Sequence, residues 1–207
     1  MKKLLRVTGF TVLAIGVAWT ALTVWAERAG PKRSWQLGNP AAKKWALIVY
    51  DPDPFYNLDE QVCRSFGQAL ADNWMQVTVA TVSAVGKSPE QPVDLYVFCA
   101  NTYNWRPDWS VSNFIQKQVN LDGKPVVAMT VGSGGTEGAQ KALKKLLLDR
   151  KANLLDSRPL WLMKPNDDSR SQESNVAVAV SMAYAWGGEI AQQVTGPYHL
   201  SGNTTSP

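Results

Sequence analysis

A chain of 207 residues has room for a short targeting segment and one domain of roughly 150 residues with a full core. Its net charge of +4 does not point to nucleic acid. Five of the basic residues (Arg28, Lys32, Arg33, Lys43, Lys44) follow directly on an apolar stretch, where a membrane surface accounts for them. A single histidine, His199, and two distant cysteines, Cys63 and Cys99, leave nothing from which to build a zinc or CxxC centre, so no metal site is expected.

The chain opens with Lys2, Lys3 and Arg6, after which Val7–Ala26 runs without a charge. About 20 residues of helix span about 30 Å, the thickness of a hydrocarbon core. Trp25 falls where an interfacial aromatic belongs, beside Glu27 and Arg28. Residues 1–28 are therefore expected to be a signal-anchor that spans the membrane once. The competing reading is a signal peptide cut after Ala26, but the apolar run is long for one, and Trp25 is bulky beside a cleavage site. Basic residues flank both ends, so the side of the membrane is left open.

Residues 29–44, with Gly30, Pro31, Gly38 and Pro40, read as a linker along the membrane surface. Trp45–Tyr50 is a continuous apolar run that suits a strand covered on both faces. Asn57 with Glu60 suggests a capping box for the helix that follows, ending near Asn73. Met75–Val82 and Val93–Ala100 are the second and third strands, with only Ser83–Gln91 for a short or irregular connection between them. An aromatic loop, Asn101–Ser110, leads into a helix ending near Val119.

The fourth strand, Pro125–Val131, meets a glycine cluster at Gly132, Gly134 and Gly135. Helical spacing then takes over at Ala139, Ala142, Leu143, Leu146 and Leu147, with Lys141, Lys144 and Lys145 on the solvated face. Asp156–Lys164 holds a fifth, shorter strand, and Ser174–Val194 a last helix rich in small residues. Residues 45–195 thus form one α/β domain, a doubly wound five-stranded parallel sheet with helices on both faces, and 196–207 a polar tail. In such a sheet ligands gather at the carboxyl edge of the strands.

Three stretches on that edge resemble the flavodoxin-like superfamily, particularly its NADPH-dependent FMN reductase and quinone reductase branches. Asn101-Thr102-Tyr103-Asn104-Trp105-Arg106-Pro107 resembles the P-x-Y-N loop after the third strand. Gly132-Ser133-Gly134-Gly135 resembles the S-G-G turn after the fourth, and Pro54-Phe55-Tyr56-Asn57 the S-F-N stretch after the first. The resemblance implies strand order 2-1-3-4-5 and FMN lying across the carboxyl edge. Asn57 would stand near the phosphate, Tyr103, Asn104 and Trp105 at the ring, and Ser133, Gly134 and Gly135 at its other edge. A helix amino-terminus suits a phosphate, flat aromatic faces suit a flat ring, and glycines let backbone approach it.

The first loop departs from the pattern. It reads Asp51-Pro52-Asp53-Pro54, where two carboxylates repel a phosphate and two prolines lack an N–H to offer it. Asp-Pro-Asp-Pro is also ordinary turn composition. The function expected is a membrane-anchored, FMN-binding domain that transfers electrons or hydride, with NAD(P)H, a quinone or a membrane protein as partner. The alternative is a flavodoxin-like domain that has lost its cofactor and serves as a tethered binding or assembly module.

Overall fold

The computed structural model describes residues 2–86 and 92–196; the tail with His199, and the later part of the Ser83–Gln91 connection, lie outside the described residues. In chain order the elements are α1 (Lys2–Ala26), β1 (Ser34–Leu37), β2 (Lys44–Tyr50), α2 (Leu58–Asp72), β3 (Met75–Thr81), α3 (Val82–Val85) and β4 (Leu95–Tyr103). They continue with β5 (Arg106–Pro107), α4 (Trp109–Lys117), β6 (Pro125–Gly132), α5 (Glu137–Asp149), β7 (Asn153–Trp161) and α6 (Asn175–Thr195).

Five strands pair in parallel in the order β3-β2-β4-β6-β7, which is 2-1-3-4-5 when the parallel strands are counted along the chain. The near-continuous apolar runs of β2, β4 and β6 occupy the three central positions, where both faces are covered. On one face Ile48, Val97 and Met129 pack with Phe66 of α2 and Trp186 of α6. On the other, Val49, Phe98 and Ala128 pack with Phe114 of α4 and Leu143 of α5. Alternation along each strand sends neighbours to opposite cores. Cys63 and Cys99 are free and buried, as small hydrophobes are.

The small residues of α6 serve close helix packing: a Cβ on Gly187 would lie 2.5 Å from the Phe66 carbonyl oxygen. Phe66 and Trp186 meet edge to face at 5.2 Å beside this crossing.

Three expectations need correction. The stretch expected to run as a linker, 29–44, contributes β1, which pairs antiparallel with β3 from Ser34↔Ala80 to Leu37↔Val77. Four residues on a half-exposed edge carry too little pattern to read as a strand. Gly38, at φ +79 and pressed against the Met75 carbonyl, turns the chain off this edge. The fifth parallel strand is longer than Asp156–Lys164 suggested and starts earlier, at Asn153. It lies on an edge and is mostly half-buried, so it has no continuous apolar run, and Pro159 is tolerated there. The capping box is not made: the Asn57 side-chain oxygen accepts from Gln61 Nε2 at 2.7 Å. Glu60 instead binds Arg33 at 2.7 Å and the Tyr50 hydroxyl at 3.2 Å.

Candidate functional site

Three loops leave the carboxyl edge of β2, β4 and β6, and side chains tie them together. The first, Asp51–Asn57, folds on its own carboxylates. Asp53 Oδ1 accepts from the backbone N–H of Phe55 at 2.6 Å and of Tyr56 at 3.2 Å, while Asp59 accepts from the N–H of Asp53 and of Glu60, each at 2.7 Å. Pro52 and Pro54 have no N–H to give. Asp51 and Asp53 do not act as a pair: Asp51 turns away to accept from Gly30 N–H at 2.9 Å. Asn57 ends the loop at the start of α2, and with Asp53, Tyr56, Asp59 and Glu60 it lines a cleft of about 510 Å³. The opposite wall of that cleft comes from Trp25, Ala26, Arg28 and Arg33.

The second loop is a hairpin. Tyr103 pairs with Arg106 across β4 and β5, leaving Asn104 and Trp105 as a two-residue turn, both at positive φ (49° and 60°). Such turns demand positive φ, and a tryptophan there is uncommon. The Trp105 ring is 75% exposed. Tyr103 is turned the other way, its hydroxyl donating to Asp53 Oδ2 at 2.6 Å. Burial, and then the Asp53 charge, push its phenol well above the usual range.

The third loop follows β6. Ser133 is exposed and its hydroxyl lies 3.4 Å from the Tyr56 hydroxyl. Tyr103, Asp53, Tyr56 and Ser133 therefore form a chain of contacts along one rim, with Gly134 and Gly135 beside it. Gly135 takes φ +49. The tight glycines are others: a Cβ on Gly132 would lie 2.9 Å from Thr136 Cγ2, and one on Gly138 2.8 Å from the Trp105 carbonyl. The second of these seats the hairpin against the start of α5.

The end of α1 lies against the same rim. Glu27 is buried; its carboxylate accepts from the Trp109 N–H at 2.6 Å, at the start of α4, and from Arg106 at 3.3 Å. Asp108 caps α4 from within, accepting from Val111 N–H and Asn101 N–H, each at 2.8 Å. Asn101 in turn donates to the Asp51 carbonyl at 2.7 Å and to Asp59 at 3.0 Å. Sequence reasoning singled out neither Glu27 nor Asp108 for the rim. Only Asp108, an Asp directly before a helix, carried a local signal.

Burial pushes the carboxyls of Glu27, Asp51 and Asp108 up and that of Asp59 up to about 6, against three N–H donors that favour its charge. Between about pH 4 and 6 the native state keeps a proton on Asp59 that the unfolded chain has released. Stability from this group is therefore lost as pH rises through that window. We expect a higher denaturant midpoint at pH 4.5 than at pH 7 for the full chain in detergent; the reverse order would contradict the buried carboxyls.

Toward a flavin the rim offers an exposed hairpin turn at Trp105 and an exposed loop at Ser133 and Gly135. The phosphate end fits poorly as built, since Asp53 and Asp59 already hold the N–H groups that a phosphate would use.

No family model matches the chain, and neither does any curated protein sequence. Solved structures do. An oxidoreductase from Corynebacterium diphtheriae matches with a TM-score of 0.56 at 13% identity, over 76% of this chain and 100% of its own. A flavodoxin from the domain Archaea matches with a TM-score of 0.55 at 11% identity, over 73% and 99%. An NAD(P)H:quinone oxidoreductase from Methanothermobacter marburgensis matches with a TM-score of 0.52 at 12% identity, over 72% and 100%. At such identities the likeness establishes the fold, which is flavodoxin-like, as the three loops suggested.

Proposed function

We propose that this flavodoxin-like chain is a single-pass, membrane-anchored protein of the electron- or hydride-transfer class, with FMN as its cofactor and NAD(P)H, a membrane quinone or a membrane protein as partner. The observation that carries the reading is the gathering of Tyr103, Asp53, Tyr56 and Ser133 on one rim, the rim on which flavodoxin-like sheets present their ligands. The flavin supplies the redox chemistry. The chain's own part is positional: Ser133, Gly134 and Gly135 offer a thin backbone edge, Tyr103 and Asn104 the hairpin side of the rim, and Asn57 the entrance to α2. Asp53 competes for the phosphate donors and weakens the hold on the cofactor without abolishing it.

Anchoring is supported by how the apolar helix ends. Arg6–Ala26 is long and apolar enough to cross a membrane, and its last turn is built into the domain through Trp25 against Phe55 at 5.4 Å and Thr23 against Asn104 at 3.3 Å. Cleavage after Ala26 would discard both contacts.

The self-occupied first loop favours a second reading, a cofactor-free tethered binding or assembly module. A visible spectrum of the detergent-solubilised full chain decides between them. The bands of an oxidised flavin, present on purification or after incubation with excess FMN, are the expected result. A colourless protein under both conditions overturns the flavin reading and leaves the module.

A further inference from the structure

We propose that one corner of the carboxyl rim, the Asn104-Trp105 hairpin tip with Phe55, is set into the interfacial layer of the bilayer beside the last turns of α1. This rests on the reading of α1 as a membrane span. No linker separates α1 from the domain. Ala26, the last residue of α1, is buried against the domain, and Glu27 is already clamped to Arg106 and the start of α4. The domain is thus carried on the end of the helix with no spacer to lift it from the lipid.

The rim then reaches back along the helix. Asn104 touches Thr23, Phe55 touches Trp25, and Trp19, Leu22, Thr23 and Ala26 share a recess of about 180 Å³ with Phe55 and Thr102–Asn104. At 1.5 Å per residue, Thr23 lies about 5 Å and Trp19 about 10 Å inside the domain end of the span. Loop residues at those levels stand in whatever medium surrounds α1 there, and for a span that medium is the headgroup and upper acyl layer. The chemistry suits it: Phe55, which touches α1, is 57% exposed and Trp105, the neighbour of Asn104, is 75% exposed, and aromatic side chains prefer the membrane–water boundary. Trp105 also holds a positive-φ position that a glycine would fill more easily, so a mostly exposed ring is kept at a conformational cost. The patch is continuous with the surface that α1 turns to lipid, so its occupant is lipid and not a partner protein.

The test places single nitroxide labels on the full chain in vesicles of phosphatidylcholine with a minor share of phosphatidylglycerol. Cys63 and Cys99 stay in place because both are buried. Trp105→Cys and Phe55→Cys report the rim, Val12→Cys the middle of α1, and Trp74→Cys the opposite edge of the sheet, where the native ring is 65% exposed. We expect collision with a water-soluble nickel chelate to be about tenfold lower at positions 105 and 55 than at 74, with oxygen collision raised. A lipid signature at 12 with aqueous signatures at 105 and 55 overturns the proposal while leaving the anchor. An aqueous signature at 12 overturns both. Labels at 105 and 55 shielded from both reagents mean a protein surface instead of lipid, which also overturns it.

Discussion

Replacing Asp53 by Ser is expected to tighten FMN binding by about a hundredfold. The Asp53 carboxylate holds the N–H groups of Phe55 and Tyr56 and the Tyr103 hydroxyl, so a phosphate entering the loop must displace it or approach it. A unit charge about 5 Å away at an effective dielectric of about 20 opposes a phosphate by about 3 kcal/mol, or about two decades in affinity. Serine removes that charge and frees two donors. Quenching of FMN fluorescence, titrated against Asp53→Ser and the native chain side by side, measures the difference. Equal affinities would mean that the loop after β2 is not where a phosphate sits, and the self-occupied loop would then be a structural turn and nothing more.

Asp108→Ala is expected to cost about 4 kcal/mol of stability, roughly 10 °C in Tm for a domain of this size. The side chain is buried and satisfies two backbone N–H groups, Val111 in the first turn of α4 and Asn101 at the end of β4. Removing it strands both donors away from water, at about 1–3 kcal/mol each, along with the loss of the helix cap. Because Asn101 also holds the Asp51 carbonyl and Asp59, the loss should spread to the first loop. Thermal unfolding of the variant in detergent checks the magnitude. A change under about 1 kcal/mol would show that water reaches these donors.

Both predictions concern a rim whose parts lie far apart in the chain. Asp53 meets Tyr103 across 50 residues, and Tyr56 meets Ser133 across 77. Resemblance named the three loops correctly as neighbours on one edge, and the acidic, proline-containing first loop was legible as hostile to phosphate. Which N–H groups Asp53 and Asp59 would take was not legible, since a short polar side chain in a turn has several backbone donors within reach.

By itself the sequence determined the strand and helix periods, the order of the parallel strands through its likeness to a known pattern, and an apolar helix long enough to cross a membrane. The periods and the apolar helix follow from local hydrophobic periodicity, which the chain carries in every short window; the strand order rests on the likeness alone. Only the tertiary structure decided that the supposed linker adds an edge strand and that Glu27 locks the helix end onto α4. The same holds for Phe55 and Asn104, which lie beside the last turns of α1. Such contacts join residues about 30 to 80 positions apart, where closure of the whole fold, rather than any local preference, selects the partner.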